Sequence, residues 1–274
     1  MVRVSRSLAF ATALAIFTAS VAVSAHAAPA GLRSFCADRP GKATPPCILD
    51  AGHLQLEIGL VDYSRQHEHG ARANTYAVGA SELRVGVSKR SEIEIGWTPW
   101  AIERTRDITG ANRHAGVGDL VLGFRTALTN PDSGGAAVSL RPFVTAPTAT
   151  HHMGTGGWEG GVMLPISASL PQQWSLGLMP EVDVARNASG RGTHPAWSGT
   201  VAMGHALGPV ALGAEIWGAV DEDPIGRTRR ASFDLTAAWT PSSLTDVQFD
   251  GGVNAGLNSH TPSLELYAGV SRRF

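Results

Sequence analysis

The chain has 274 residues, 43% hydrophobic and 16% charged, with 32 Gly, 16 Pro and a net charge of −1. The apolar share excludes a disordered chain, and the balance of 22 basic against 23 acidic residues argues against a nucleic-acid partner. No internal run of about 20 apolar residues occurs, which excludes a helical membrane protein and leaves a soluble β protein or a membrane β-barrel.

Residues 1–27 read as a secretory signal. Arg3 and Arg6 supply the positive start, Leu8 to Val23 the apolar stretch, and Ala25-His26-Ala27 the small residues before cleavage. Residues 28–50 are then a short periplasmic segment, and 51–274 the barrel domain. Cys36 and Cys47 are the only cysteines. Exported protein sits in an oxidising space, so the two are expected to pair. A metal site is disfavoured, because two cysteines alone supply too few ligands.

From Ala51 onward alternation is the dominant period. In His53–Ser64, Leu54, Leu56, Ile58 and Leu60 oppose Gln55, Glu57, Gly59 and Tyr63. In about Thr75–Val87, Leu83, Val85 and Val87 oppose Glu82, Arg84 and Gly86. Ile93, Ile95 and Trp97 oppose Glu94 and Gly96, and Leu120, Leu122 and Phe124 oppose Asp119, Gly123 and Arg125. Strands follow around Leu140, Leu164, Leu178, Val201, Ala214, Leu235, Val253 and Leu266, which makes twelve in all. Their connections mostly alternate in length. Ser88–Ser91, Pro171–Gln173, Gly208–Pro209 and Pro241–Thr245 are short. Gln66–Asn74, Ala101–Val117, Thr148–Gly156, Arg186–Pro195 and Glu222–Arg229 are long, and Thr129–Ala137 is an exception to the alternation. An up-and-down barrel of the bacterial outer membrane has this asymmetry, whereas a Greek-key sandwich has no cause for it.

Aromatic placement supports the barrel. Trp97, Trp158 and Trp197 lie near the long-loop ends of strands, and Trp174, Trp239 and Phe274 near the short-turn ends. Two aromatic rings flanking an aliphatic band suit the two interfaces of a bilayer. The chain ends on alternating apolar residues and a terminal aromatic, Phe274. That ending resembles the signal by which barrel-insertion machinery recognises outer-membrane strands. Arg272 and His205 break the outward face, both near strand ends.

With apolar residues toward lipid, the lumen receives Glu57, Glu82, Arg84, Glu94, Asp119, Arg125, Arg141, Glu181, Asp183, Glu215, Asp234, Asp250 and Glu265. Such mixed charge suits either a polar pathway or a filling network of Arg–carboxylate pairs. Lumen-facing glycines such as Gly86 and Gly269 provide either space or curvature. His67, His69, His151 and His152 read as solvated loop residues, since a pair of His is too few for a specific metal site. No cofactor motif and no catalytic motif is found. A lipid-modifying enzyme would need His205, the one outward His, with a matching outward Ser that is not evident.

Several stretches are similar to a known family. They are Cys36-Ala-Asp-Arg-Pro-Gly-Lys-Ala-Thr-Pro-Pro-Cys47 running into His53-Leu-Gln-Leu-Glu-Ile-Gly-Leu60, Gly116-Val-Gly-Asp-Leu-Val-Leu-Gly-Phe124, Arg141-Pro-Phe-Val-Thr-Ala-Pro-Thr148 and Pro180-Glu-Val-Asp183. The chain resembles the outer-membrane transporters of the phenol meta-degradation pathway. The resemblance implies uptake of small aromatic compounds and assigns no residue to a phenol. Larger hydrocarbon-uptake barrels carry an N-terminal plug. Here only Ala28–Asp50 precedes the first strand, so the disulfide loop reads as a small lid or a tail. The expectation is an all-β, transmembrane up-and-down antiparallel barrel that passes a small solute passively, with Ala101–Val117 as a candidate constriction. Its expected partners are outer-membrane lipid, that solute and the insertion machinery. A barrel with a blocked lumen that serves structure or partner binding is the rival.

Overall fold

A computed structural model describes residues 31–274 apart from His69, so the signal at 1–27 lies outside the described residues. Twelve antiparallel staves close into a barrel. In chain order they are β1 (Leu54–Glu68), β2 (Ala71–Val78 and Ala80–Gly86), β3 (Ser91–Trp97 and Trp100–Asp107) and β4 (Gly110–Gly116 and Leu120–Ala127). Next come β5 (Ala136–Ala146), β6 (Glu159–Met163 and Ile166–Ser169), β7 (Trp174–Arg186) and β8 (Thr193–Leu207). The last four are β9 (Val210–Asp221), β10 (Thr228–Trp239), β11 (Val247–Gly256) and β12 (Leu264–Arg273). Each stave pairs with its sequence neighbour, and β12 closes on β1 from Gln55 opposite Arg273 to Arg65 opposite Leu264. Closure removes both sheet edges, which is the condition for a sheet to stand in lipid.

The faces are inverted relative to a soluble protein. Ile216 is 60% exposed and Val201 52%, while Glu57, Arg84 and Glu94 are each 1% exposed. An aliphatic exterior over a charged interior is the pattern of a membrane barrel. Exposed aromatics bound the aliphatic band. Trp97, Trp100, Trp158 and Trp197 stand toward one end, and Trp174, Trp239, Phe249 and Phe274 toward the other. The two polar residues that the sequence pattern puts on the outward face, His205 and Arg272, sit against the second belt. His205 stacks on Trp174 at 4.4 Å, and the Arg272 guanidinium lies 4.9 Å from the Phe274 ring centroid.

Two expected loops are strands instead. The described residues of 66–74 and 101–117 turn only at 70 and at 108–109, and the rest of each extends as ladder. Ala101–Val117 is therefore a hairpin of the wall, and the constriction expected there is absent from it. Gly110 closes its tip at φ +146°, a value that suits glycine. The Asp107 carboxylate accepts from the Thr109 and Gly110 amides there.

One irregularity runs across four staves at a single height. β1 bulges against β12 between Gly59 and Val61, β2 breaks at Gly79, β3 at Thr98-Pro99 and β4 at 117–119. Pro99 has no N–H to give the ladder, and Gly79 has φ +75°. The extra residue reverses the side-chain parity above the line. Glu57 is buried inside below it, whereas above it Asp62 lies within 4.0 Å of Arg39 in the lumen. Tyr63, expected among the polar residues, belongs to the outward row with Tyr76, ring centroids 4.9 Å apart.

Candidate functional site

The described N-terminal segment is neither a lid nor a tail. It enters the barrel, and its contacts reach nine of the twelve staves. At the end that carries residue 31 and Phe274, Arg33 bonds Asp132 at 2.7 Å and the Lys89 carbonyl at 2.8 Å. The Arg33 hydrogen bond holds the Asp132 carboxyl below its ordinary range. The chain climbs past Cys36 and Asp38 to an apex at Gly41-Lys42, then descends through Pro45 and Cys47 to Asp50. The Cys36–Cys47 disulfide joins the two limbs below the apex. This segment is the plug.

Its anchors are wall charges meeting plug backbone and side chains. Glu57 accepts from the Asp38 and Arg39 amides at 2.9 and 3.0 Å. Glu215 accepts from the Lys42 amide at 2.7 Å, and Glu92 from the Leu49 amide at 2.6 Å. Arg84 donates to the Cys36 and Cys47 carbonyls at 2.9 and 3.2 Å. Arg125 grips Asp38 and also reaches the Pro45 carbonyl at 3.0 Å. A segment without secondary structure cannot satisfy its own peptide groups, so buried wall charges do it. Burial pushes the Asp38 carboxyl up. Arg125 and Arg84 outweigh that and hold it well below the ordinary range.

Two lumen glycines give space to the plug. A side chain at Gly86 would collide with the Asp50 backbone, and one at Gly269 with the Arg39 guanidinium. At these positions room rather than curvature is what glycine supplies.

The expected lumen residues, Asp119 aside, fall into three groups. Glu57, Arg84, Arg125, Glu215, Asp234, Asp250 and Glu265 touch the plug. Glu82, Glu94 and Arg141 form a wall network beside it, in which Arg141 pairs with both acids. Asp38, Glu82 and Glu94 converge within 4.8 Å, but Arg125 and Arg141 neutralise that cluster as ion pairs. Glu181 and Asp183 lie on the opposite wall, where Ser198 donates to Glu181 at 2.9 Å. Asp119 stands apart from these groups. It accepts from the Ala149 and Thr155 amides and so fastens the loop 147–158.

Glu92, Trp217 and Asp62 are wall residues that join the candidate site from outside that set. Glu92 and Trp217 share parity with Glu94 and Glu215, so continued alternation could have found them. Asp62 is hidden by the bulge.

Above the plug apex lies a cavity of about 540 Å³. Trp217, Arg230, Thr228, Gln66 and Glu265 line it, and Lys42 is its floor. The Lys42 ammonium lies 5.5 Å from the Trp217 ring centroid and bonds Asp234 at 3.1 Å and Glu265 at 3.3 Å. The cavity is of the size that holds a small organic molecule.

A family model described as "Putative MetA-pathway of phenol degradation" matches residues 37–274. No curated protein matches the chain. Among solved structures, the β domain of the Bordetella autotransporter BrkA is 14% identical, covering 82% of this chain and 100% of its own, at a TM-score of 0.48. The translocator domain of NalP from Neisseria meningitidis is 12% identical, covering 82% and 90%, at a TM-score of 0.49.

Proposed function

The chain belongs to this phenol-degradation family, and from that premise we infer that it is a bacterial outer-membrane channel for a small solute, gated by its own N-terminal plug. The family's description points to an aromatic solute. The observation that carries the reading is the vestibule whose floor is Lys42, a plug residue tethered to the wall carboxylates Asp234 and Glu265. An aromatic ring suits the Trp217 face. A phenolic or carboxylate oxygen on that ring would compete with Asp234 and Glu265 for the Lys42 ammonium. That competition loosens the apex from the wall and couples arrival of solute to movement of the plug. The short-turn end, with residue 31 and Phe274, is periplasmic in this reading, and the 147–158 loop faces outside.

A channel accounts for the charged lumen better than an enzyme does. His205, which a lipid-modifying site would need, stacks on Trp174. The C-terminal strand would present Phe274 to the insertion machinery. The blocked-barrel alternative draws on the breadth of the plug's contacts.

Liposomes carrying the intact protein test the reading. Phenol and benzoate are expected to enter faster than into empty liposomes, and Lys42→Gln is expected to change the benzoate rate more than the phenol rate. No flux of either compound in wild type or variant would refute the conduit.

A further inference from the structure

The parity reversal leaves an unusual face on the outside of the barrel. Above the bulge line, residues paired across β1 to β4 form horizontal rows on the outward surface. Tyr63, Tyr76, Ile102 and Ala115 make one row. Arg65, Asn74, Arg104 and Arg113 make the next. His67, Arg72, Arg106 and Ala111 make the third. Five arginines therefore project from adjoining positions, and none of the outward positions in these rows is an acid. The acids of the same hairpins, Glu68, Glu103 and Asp107, have the opposite parity. Among the described residues no ion pair joins any of the five guanidiniums.

The face is partly organised already. Arg65 donates to the Tyr63 hydroxyl at 3.0 Å, which donates to Asn74 at 3.0 Å. Arg72 donates to Asn74 through two nitrogens at 3.3 Å. Arg72, Arg104, Arg106 and Arg113 border a surface depression of about 360 Å³. Unpaired, clustered guanidiniums with fixed forks suit phosphate oxygens.

Its height names the occupant. Trp100 and Tyr76, 40% and 37% exposed, lie directly below the arginine rows and continue the aromatic belt. Arg104 is four residues along the strand from Trp100. That is about 13 Å of ladder, or about 10 Å along the membrane normal at a usual barrel tilt. Aromatic belts mark the interface, so the arginines stand at the depth of lipid headgroups or just above. We propose that this outward arginine face binds the phosphate groups of an anionic glycolipid in the outer leaflet. The rows are continuous with the lipid-facing surface, and their charge complements phosphate. Whether the lumen conducts does not bear on this site.

The test uses the intact barrel in neutral detergent micelles, with bisphosphorylated lipid A as probe and dephosphorylated lipid A as its acyl-chain control. Retention of the bound lipid is read by native mass spectrometry, and heat-modifiable gel migration reports that each variant is folded. Wild type is expected to retain the phosphorylated lipid at least about tenfold better than the dephosphorylated one, and added salt should weaken retention. The triple variant R104Q/R106Q/R113Q should lose that preference. R191Q/R227Q/R229Q, which removes the same charge elsewhere on the outer end, should keep it. Should the triple variant misfold, the single variants R104Q and R113Q carry the test, each with a partial loss. Equal retention of the two lipids by wild type would overturn the proposal. So would loss of preference in both triple variants, or displacement of the lipid by millimolar inorganic phosphate, which would make the face a free-anion site.

Discussion

Arg125 closes on Asp38 through both terminal nitrogens, so a wall residue of β4 holds a plug residue 87 positions away in a bidentate, buried ion pair. The side chains are 0% and 8% exposed. The same guanidinium lies 2.8 Å from Glu94 and 3.5 Å from Glu92. It is thus the cation that joins the plug to the wall's acids. Removing one partner from a buried pair costs about 3–5 kcal/mol, because the remaining charges stay desolvated and unpaired. Arg125→Met is expected to release the plug while the barrel stays closed. Limited proteolysis within residues 36–47 would rise, and heat-modifiable migration would persist. A protected plug in Arg125→Met would show that the pair does not hold it.

Acid should act on that pair late. The Asp38 carboxyl is depressed in the docked state, since Arg125 and Arg84 outweigh the opposing effect of burial. A carboxyl with a lowered folded pKa contributes stability that is fully present above its free value of about 4. The contribution is lost only as pH falls through the docked value. The difference in plug protection between wild type and Asp38→Asn should therefore stay constant from about pH 8 to 5 and shrink only below about pH 4. A difference that already vanishes near pH 6 would contradict the depressed carboxyl.

Alternation makes Glu57, Arg84, Glu94 and Arg125 legible from sequence, because one buried face per strand fixes a period of two. The same rule carried past residue 98 puts Arg104 and Arg106 inside. Pro99 and Gly79 reverse the parity, and nothing in a local window announces that four staves reverse together. Residues 31–50 have no period at all. Their place depends on pairs such as Lys42 with Asp234, 192 positions apart, which no spacing rule reaches. The cysteines point to a closed loop, and the lumen glycines leave room, but only the fold brings the two together.

That meeting is testable at Gly86. A Cβ there would strike the carbonyl of Asp50, which is backbone and cannot swing aside as a flexible side chain would. Overpacking of this kind costs about 1–3 kcal/mol. Gly86→Ala should displace the descending limb, weaken the Gly52 amide bond to the Gly86 carbonyl at 2.8 Å, and increase single-channel open time in planar bilayers. Gly269→Ala meets the Arg39 guanidinium, a flexible plug side chain, and the Ile58 carbonyl of the barrel wall; no plug backbone is struck, so its effect on gating should be the smaller. Equal, wild-type gating in both variants would mean that the plug does not need this room.

Phe274 makes two separable sets of contacts at the seam of the barrel. Its backbone closes β12 on β1: the Phe274 amide donates to the Leu54 carbonyl at 2.7 Å, and the Leu54 amide donates to the Phe274 carbonyl at 3.2 Å. Its ring is 38% exposed in the belt beside Arg272. Phe274→Ala removes the ring and keeps both backbone bonds. Deletion of the residue removes all three contacts and leaves the Leu54 backbone groups unpaired at the closing seam, where an unmade bond costs about 1–3 kcal/mol. Insertion into liposomes with purified insertion machinery separates the roles. Phe274→Ala should slow insertion yet yield a barrel of wild-type thermal stability, Phe274→Trp should restore the rate, and deletion should lower both rate and stability. If Phe274→Ala inserted at the wild-type rate while deletion destabilised the barrel, the residue would serve closure alone, and the insertion signal would lie upstream in the alternating apolar residues of β12.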